Sequence, residues 1–578
     1  MEQIFIAAIL VLLILLLIKS KLHPALLFVS AALIFSFAGM IEVQELLTYY
    51  ANETLITLLL LLHVSVAVEK SNLILFLSKQ IFKKKSFHGS LFRLSFFTML
   101  FSGILNNTAI VATLMGTVKN NPHKFAPSRL LIPLSYSAIM GGVLTLIGTS
   151  TNLIVNSFTI KAGLEPIGFF DFFYVGAPIA LIGLLYVVLV LPHLLPRQGW
   201  EEDEDTVSYF LEAEVRAGAS IIGKSITENG LRNMDHLFLA EIIRDNRLIS
   251  PVEPNQILRE GDILVFTGAV SKIQELRKFP GLEIQEKGTE EILDSNLQEV
   301  VVRHTSPLLG RRIKDANFRT KFDAVVVAVS RGDEKLSGKI GNIKLQTGDE
   351  LVLATGAEFY RHENLRRNFS ILNPLDPDGI MTSRESWITV GLFLIGLVTA
   401  ATGLLSLFQA MVLLLLAYLG LGYLKFKQLK NNLNVSLLLM IGSALGISQV
   451  ISEYGLADLI SSGILDFVGM GSPVYALAGI YLATLITTEV ITNNAAAALM
   501  FPIAIATATL LEVSPIPFIM AIAYAASASF LTPIGYQTNT MVYAVGKYKF
   551  GDYFKGGIVL SLLYAVMVIT LVPYFFPF

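Results

Sequence analysis

A polar motif occurs twice inside apolar sequence and restricts the folds open to this chain. In each copy a hydroxyl residue stands five positions before a central asparagine, Ser102 before Asn107 and Thr488 before Asn493. Amides and hydroxyls repeated in this way predict one polar site to which both halves of the chain contribute. The copies read F-S-G-I-L-N-N-T-A-I-V-A-T-L-M over Phe101–Met115 and T-E-V-I-T-N-N-A-A-A-A-L-M-F over Thr488–Phe501.

A second polar segment follows each copy at nearly the same spacing. Gly148–Asn152 (G-T-S-T-N) begins 41 residues after Asn107, and Gly535–Asn539 (G-Y-Q-T-N) begins 42 residues after Asn493. Each segment interrupts a run that is otherwise apolar. The chain therefore carries two copies of the same pair of features.

Composition places these features in a membrane. Of 578 residues 53% are hydrophobic and 15% are charged, and the mean hydropathy is +0.63. Soluble domains carry roughly 25% charged residues, so the chain is predicted to be an integral membrane protein. A net charge of −2 gives no indication of nucleic-acid binding, and the absence of cysteine excludes disulfides and thiolate metal sites. Met1–Ile18 lacks a basic leader and a cleavage site, so we interpret it as a retained first span.

Lysine and arginine accumulate on the cytoplasmic side of membrane proteins, and their distribution sets the expected orientation. Basic residues follow the first and third spans, whereas the intervening stretch Ile41–Glu53 has none. We therefore expect both termini outside and the central soluble region in the cytoplasm, in a multi-pass protein of the cell (inner) membrane. The predicted apolar elements are 3–19, 24–41, 53–69, 73–85 (amphipathic), 89–118, 130–160 and 172–195, then 386–404, 408–424, 434–451, 456–468 (amphipathic), 475–512, 517–545 and 558–574.

Two of these elements are predicted to be re-entrant hairpins. Residues 89–118 begin and end beside basic residues of the cytoplasmic side, so the segment must turn back. At 1.5 Å per residue each arm reaches about mid-membrane, which puts Asn106–Thr108 at the tip. Irregular backbone at that depth is tolerated only inside protein or beside a water-filled cavity. Residues 475–512 form the second hairpin, from the opposite face, and residues 130–160 and 517–545 are predicted to be broken helices.

The membrane halves, 1–200 and 385–578, carry the same elements in the same order with opposite orientation. An inverted repeat with broken helices in matching positions indicates a secondary transporter whose site lies at the midplane. Half-helix N-termini suit an anion, and unwound carbonyls suit Na+. The predicted fold class is thus a polytopic α-helical membrane protein with an inverted repeat, two hairpins, two broken helices and inserted soluble domains. No GxSxG element, P-loop or metal-ligand spacing indicates an enzyme.

Taken singly, these residues could have structural roles, but their duplication favours a binding site. One asparagine in a membrane helix commonly joins two helices by a hydrogen bond, but the duplicated set with matching hydroxyls favours a site. Glu489 is the acid inside the second hairpin. It either couples to protons or a cation, as intramembrane carboxylates do, or lies solvated near the outer end of its arm.

The charged region from Glu201 to about Asn368 contains a further duplication. Each unit opens on a glycine, Gly223 or Gly310, and reaches a Gly-Asp pair 38 residues later. Short β-branched runs bounded by Gly, Asp and Asn predict strands and tight turns. We therefore predict two small α+β domains, over 206–285 and 290–365, with the equivalent arginines Arg244 and Arg331.

The membrane portion resembles the divalent anion:sodium symporter family, the sodium/sulfate and sodium/dicarboxylate transporters. That family carries Ser-Asn-Thr at each hairpin tip and Gly-Thr-Pro-Pro-Asn in each broken helix. Here the matching triplets are Asn106-Asn107-Thr108 and Thr492-Asn493-Asn494, which keep the central asparagine. Gly148–Asn152 and Gly535–Asn539 resemble the second motif with altered residues.

The resemblance implies a homodimer in the lipid bilayer, each protomer having a scaffold and a transport part that moves as an elevator. It implies Na+ as coupling ion and a divalent anion as substrate; the amide-rich tips favour sulfate, with a C4-dicarboxylate as the alternative. The implied sodium-site residues are Ser102, Asn106, Asn107, Gly148, Thr488, Thr492, Asn493 and Gly535. The implied anion-site residues are Asn107, Thr108, Thr151, Asn493, Asn494 and Thr538.

The soluble pair, about Tyr209–Glu363, resembles tandem TrkA-C domains, regulatory modules that also occur on potassium transport proteins. The resemblance implies either binding of a small regulatory ligand such as a nucleotide, with Arg244 and Arg331 as candidate contacts, or dimerisation alone. Two other classes of function stay open: a TrkA-C-gated ion channel and a membrane sensor that does not transport. A potassium pore would carry filter loops such as T-V-G-Y-G, which the sequence lacks.

Overall fold

The computed structural model is predominantly helical, with two small sheets inserted between two sets of helices. It describes residues 1–20, 22–71, 80–119, 121–197, 210–231, 237–245, 247–249, 252–268, 279, 281–285, 297–303, 306–331, 334–336, 340–356, 358–362, 364–371, 381–433, 435–468 and 472–578.

The first membrane half consists of ten helices within the described ranges. They are α1 (Glu2–Lys19), α2 (Pro24–Phe37), α3 (Val43–Tyr50), α4 (Glu53–Glu69), α5 (Phe87–Ser102), α6 (Asn107–Lys119), α7 (Leu131–Gly142), α8 (Ser150–Lys161), α9 (Asp171–Leu189) and α10 (Leu191–Leu194).

The second membrane half repeats this series. Two short helices of the inserted region, α11 (Phe318–Phe322) and α12 (Leu365–Asn368), precede it. Its helices are α13 (Ser383–Ala401), α14 (Leu407–Gly420), α15 (Phe426–Asn432), α16 (Val435–Glu453), α17 (Leu456–Val468), α18 (Pro473–Val490), α19 (Asn493–Leu510), α20 (Ile516–Ser527), α21 (Gln537–Val545) and α22 (Phe550–Phe575).

Eight helical segments of the described chain are long and apolar enough to cross a membrane. The protein is therefore a multi-pass integral membrane protein. The arms of the second hairpin, α18 and α19, each qualify as a span by length and composition, whereas the shorter arms of the first hairpin do not. The segments are Glu2–Lys19, Val43–Glu69, Asp171–Leu189, Ser383–Ala401, Val435–Glu453, Pro473–Val490, Asn493–Leu510 and Phe550–Phe575.

Contacts between the halves come in exchanged pairs. Helix α2 packs against α16, and the corresponding α14 of the second half packs against α4 of the first. In the same way α19 packs against α8, and α6 packs against α21. A two-fold relation between the halves requires this exchange, so the repeat seen in the sequence is also a repeat of packing.

The helices break inside each predicted hairpin and inside each predicted broken helix. The first hairpin turns between Ser102 and Asn107, and the second between Val490 and Asn493. The first broken helix is interrupted over residues 143–149 and the second over residues 528–536. The helix therefore resumes inside each polar segment, at Ser150 and at Gln537, so the later residues of both segments lie in the first turn of a helix.

Two short helices lie in gaps between the predicted apolar elements. Helix α3 lies in the stretch 41–53 and is amphipathic, burying Leu46 and Tyr49. Helix α15 begins after Lys425, whose backbone N–H donates to Gln428 Oε1 at 3.0 Å. Both are equivalent elements of the repeat. The predicted amphipathic segment 73–85 lies mostly outside the described residues.

The inserted region forms two five-stranded sheets of the same topology. The first has the order β3-β2-β4-β1-β5 and the second the order β8-β7-β9-β6-β10. The second unit extends past the predicted boundary at residue 365, because Phe369 pairs with Val302 at the sheet edge. The strands are β1 (Phe210–Val215), β2 (Leu237–Arg244), β3 (Arg247–Ile249), β4 (Ile263–Gly268), β5 (Leu282–Gln285), β6 (Leu297–Val302), β7 (Ala324–Arg331), β8 (Glu334–Lys335), β9 (Glu350–Thr355) and β10 (Phe369–Ile371).

The equivalent arginines close a tight turn in each unit. Arg244 Nε and Nη2 donate to the two carboxylate oxygens of Asp262 at 2.7 Å each, and Arg331 makes the same paired bonds to Asp349 at 2.7 and 2.9 Å. Both aspartates are fully buried, so each guanidinium compensates a buried charge. The bond to Asp262 raises the pKa of Arg244 above its ordinary value. A contact with a regulatory ligand through these arginines stays a prediction.

Close packing of α5 on α7 is expected to depend on one glycine. A Cβ atom at Gly141 would lie 2.3 Å from the carbonyl oxygen of Met99, which is backbone and cannot move aside alone. We predict that Gly141→Ala lowers the melting temperature of the detergent-solubilised protein, since overpacking costs about 1–3 kcal/mol. Gly391→Ala in α13 is the control because nothing lies within 4 Å of its added Cβ. Equal melting temperatures for the two variants would contradict this packing.

Candidate functional site

Three oxygen atoms of the first half form a compact cluster at the tip of the first hairpin. Ser102 ends α5 and Asn107 begins α6, so the turn brings the two side chains together. The Ser102 hydroxyl lies 2.7 Å from the carbonyl oxygen of Ala138 and also contacts Asn107 Oδ1. Both side chains are buried. We call Ser102, Asn107 and the Ala138 carbonyl the first oxygen cluster.

The second half builds the same cluster from equivalent residues. The Thr488 hydroxyl lies 2.6 Å from the carbonyl oxygen of Ala526 and 3.1 Å from Asn493 Oδ1. The hydroxyl of Ser529 lies a further 3.5 Å from it. We call Thr488, Asn493 and the Ala526 carbonyl the second oxygen cluster.

Each cluster has more oxygen atoms than protons. A serine or threonine hydroxyl carries one hydrogen, and amide and carbonyl oxygens carry none. Ser102 therefore satisfies only one of its two oxygen neighbours at a time, and so does Thr488. Hydroxyl, amide and unwound carbonyl oxygens are the ligands that broken helices offer to Na+. The described residues contain no group of three or more His, Cys, Asp or Glu side chains that could hold another metal.

A buried asparagine holds the loop of each broken helix. Asn152 Nδ2 donates to the carbonyl of Thr145 at 2.9 Å, and Asn539 Nδ2 donates to the carbonyl of Ser529 at 2.8 Å. Glycine allows these loops to approach the clusters: a Cβ at Gly142 would lie 2.7 Å from Asn107 Nδ2. A Cβ at Gly148 would lie 2.5 Å from the Gly142 carbonyl oxygen. Gly148, an implied sodium-site residue, therefore allows the loop to pack closely beside the first oxygen cluster.

The hairpin tip of each half contacts the broken helix of the other. Thr108 Oγ1 donates to Gln537 Oε1 at 3.1 Å, where α21 begins. Asn494 Oδ1 accepts from Thr151 Oγ1 at 3.0 Å and from Ser150 Oγ at 3.3 Å, where α8 begins. The N-termini of α6 and α21 therefore lie together, and so do those of α19 and α8.

Tyr536 joins these two pairs of helix ends. Asn107 Nδ2 donates to its hydroxyl at 2.8 Å, and the same hydroxyl is hydrogen-bonded to Thr149. Thr149 precedes Ser150, which contacts Asn494. The four N-termini thus meet in one region. Their positive dipole ends make such a region suitable for an anion.

Glu489 lies inside the protein rather than at a solvated end of its arm. Its Oε1 accepts from the backbone N–H of Leu531 at 2.8 Å, and its Oε2 accepts from the Thr532 hydroxyl at 2.7 Å. Thr532 in turn accepts from the N–H of Gly535 at 3.0 Å. A Cβ at Gly535 would lie 2.8 Å from Glu489 Oε2, so a larger residue there would displace the carboxylate. The carboxylate positions the loop beside the second oxygen cluster, and Gly103 occupies its place in the first half.

Three predicted site residues are not hydrogen-bonded to either oxygen cluster within the described contacts. Asn106 accepts from the N–H of Thr108 at 2.9 Å, so it caps α6 and its side chain is exposed outside the first oxygen cluster. Thr492 occupies the same cap position before α19 and is exposed as well. Thr538 is fully buried against Ser135, whose hydroxyl donates to it at 2.7 Å, and it faces α7 instead of the helix ends.

Sequence reasoning missed other residues of the site. Tyr536, Gln537 and Ser150 lie in the polar segments that the sequence singles out, so their position was a usable signal. Nothing in the sequence indicates the carbonyl oxygens of Ala138 and Ala526, because every residue has a carbonyl. Only the packing of the hairpins selects these two.

Comparisons with known proteins identify the family of the chain. The sequence profile described as "Citrate transporter" matches residues 11–513 and 397–578. The chain belongs to the citrate transporter family. A Chlamydomonas reinhardtii protein, whose name proposes it as a sulfur deprivation response regulator, is 30% identical over 95% of this chain and 97% of its own length. An uncharacterized transporter of Synechocystis is 27% identical over 93% of this chain and 91% of its own.

Other relatives carry names with a substrate. Sodium/sulfate cotransporter 1 of Chlamydomonas reinhardtii is 31% identical over 61% of this chain and 41% of its own length. Together with the citrate transporter profile, these relatives establish this member of the family as a transporter of anions and not an enzyme. The expected class, a divalent-anion transporter, is supported at this level.

Two substitutions separate how the shape and the charge of Glu489 contribute to the stability of the protein. We predict that Glu489→Ala lowers the melting temperature in detergent, because the Leu531 N–H loses its acceptor at a cost of about 1–3 kcal/mol. Glu489→Gln should melt closer to the parent protein, since its amide oxygen accepts from Leu531 and its NH2 group donates to Thr532. If both variants melt alike, the carboxylate does not hold this loop.

Proposed function

We propose that the protein is a sodium-coupled symporter of a divalent anion. The observation that carries the proposal is the pair of oxygen clusters, each with one proton for three oxygen atoms, beside four convergent helix N-termini. A cation at each cluster would satisfy the surplus oxygens. The bound cations and the helix ends would together favour an anion between the hairpin tips.

Sulfate is the favoured anion. The tips present the amides of Asn107 and Asn494 and few hydroxyls, and amide N–H groups suit an oxyanion. Relatives named as sodium/sulfate cotransporters support both sulfate and sodium. A C4-dicarboxylate is the alternative, and the citrate transporter profile supports a carboxylate substrate in general.

In the proposed mechanism the hairpins and broken helices move together as an elevator. The scaffold would be formed by helices such as α2, α4, α14 and α16, which pack in the exchanged pairs described above. The protein would be a homodimer with both termini outside and the inserted units in the cytoplasm, as the distribution of basic residues predicts. The inserted units would regulate transport as TrkA-C domains. They would do so either by binding a nucleotide-like ligand near Arg244 and Arg331 or by dimerising.

Two functions of other classes would give different results in one assay. A gated ion channel would pass ions without saturation, and a non-transporting sensor would bind an anion without moving it. The relative named for a sulfur deprivation response supports keeping the sensor as a candidate. Uptake of labelled sulfate into proteoliposomes, with and without a sodium gradient and with succinate as competitor, distinguishes these functions from a symporter.

The residues of the oxygen clusters should be required in that assay. We predict that Asn107→Ala and Asn493→Ala each abolish saturable, sodium-dependent uptake, because each removes an oxygen ligand and a tip amide. Asn106→Ala is the matched control: it removes a helix cap, worth about 1 kcal/mol, but no cluster atom. Size-exclusion chromatography checks that all three variants stay folded. Normal uptake by both cluster variants would show that the hairpin tips are not the site.

A further inference from the structure

The second inserted unit contacts the exit helix of the first hairpin through a charge cluster. Lys119 ends α6, and its Nζ lies 2.7 Å from a carboxylate oxygen of Glu299 and also contacts Glu350. Glu299 is in β6 and Glu350 in β9, which are neighbouring strands, so one ammonium group bridges both. The lysine side chain is only 28% exposed, which makes the pair stronger than an open surface ion pair.

Apolar and backbone contacts lie beside this charge cluster. Val301, between the glutamates on the same sheet face, is 1% exposed and belongs to the hydrophobic cluster of the membrane helices. A Cβ at Gly348 would lie 3.2 Å from the carbonyl oxygen of Thr540 in α21. The second unit therefore sits against both α6 and α21. Asn107, at the other end of α6, and Gln537, three residues before Thr540 in α21, form part of the candidate site.

The first unit cannot replace the second at this place. Its strands match those of the second unit one to one, and Glu212 stands at the position of Glu299. Glu214 replaces Val301 and Ile263 replaces Glu350. The first unit thus lacks both the second carboxylate and the apolar residue between them. The docking face is specific to the second unit, which points to a function beyond general packing.

We propose that this contact is a lock that holds the transport part toward the cytoplasm until the second unit detaches. The inference rests on the proposed elevator mechanism. Outward movement of α6 and α21 would draw the docked unit, with its charged surface, toward the hydrocarbon region, and burial of such charges is prohibitive. The unit must therefore release Lys119 before the transport part moves outward. A ligand that alters the second unit would control transport through this contact.

The test uses Lys119→Gln, which removes the charge that both glutamates share. Because the chain has no cysteine, a Val301→Cys variant carries one thiol that reports docking by its rate of maleimide labelling. We expect Lys119→Gln to accelerate labelling of Val301→Cys. We also expect it to raise the initial rate of sulfate uptake about fivefold or more, the usual lower range of coupling between two sites. Lys555→Gln is the control, an exposed lysine of α22.

The two measurements, the labelling rate and the uptake rate, test the lock separately from the transport function on which it rests. Labelling needs no substrate, so unchanged labelling of the Lys119→Gln protein would overturn the docking itself, whether or not sulfate is transported. Faster labelling with unchanged or slower uptake would overturn the lock. Absence of uptake in the parent protein, with sulfate and with succinate, would refute the proposed function and the lock together, while the labelling result would still decide whether Lys119 holds the unit.

Discussion

The interaction on which the structure depends is the contact between a hairpin hydroxyl and a carbonyl of a broken helix. Ser102 with Ala138 and Thr488 with Ala526 each join two segments whose backbones end inside apolar surroundings. Such ends carry unsatisfied polar groups, which are costly away from water. Collecting them in clusters of oxygen atoms and helix N-termini limits that cost. The proposed binding site is thus a consequence of how the hairpins are accommodated.

The two-fold relation between the halves explains why the site is assembled from both. Thr108 meets Gln537 of the other half, and Asn494 meets Thr151. When the hairpin tip of one half contacts the broken helix of the other, the two-fold relation produces a second, equivalent contact on the other side of the region between the tips. The halves are not identical, however. Glu489 fixes the loop beside the second cluster, whereas Gly103 leaves the first loop to be held by the Thr145 hydroxyl, which donates to the Gly103 carbonyl.

Much of the fold could be predicted from the sequence, because polar residues at regular spacing in apolar runs leave few alternatives. The hairpins, the broken helices, the paired asparagines and the two soluble units followed from such patterns. Details that depend on packing did not. The exposure of Asn106 and the burial of Thr538 follow from where each helix starts, and the bridge through Tyr536 follows from contact between the halves. In the sequence Lys119 resembles the other lysines that follow predicted spans. Only its contact with the second sheet distinguishes it from them.

The central claim is that two equivalent oxygen clusters each bind one sodium ion. Equilibrium binding of radioactive sodium to the purified protein measures this directly, in the parent chain and in Ser102→Ala and Thr488→Val. The account predicts about two sodium ions per protomer in the parent and about one in each variant, since each change removes the hydroxyl of one cluster. The same stoichiometry in all three proteins would contradict it.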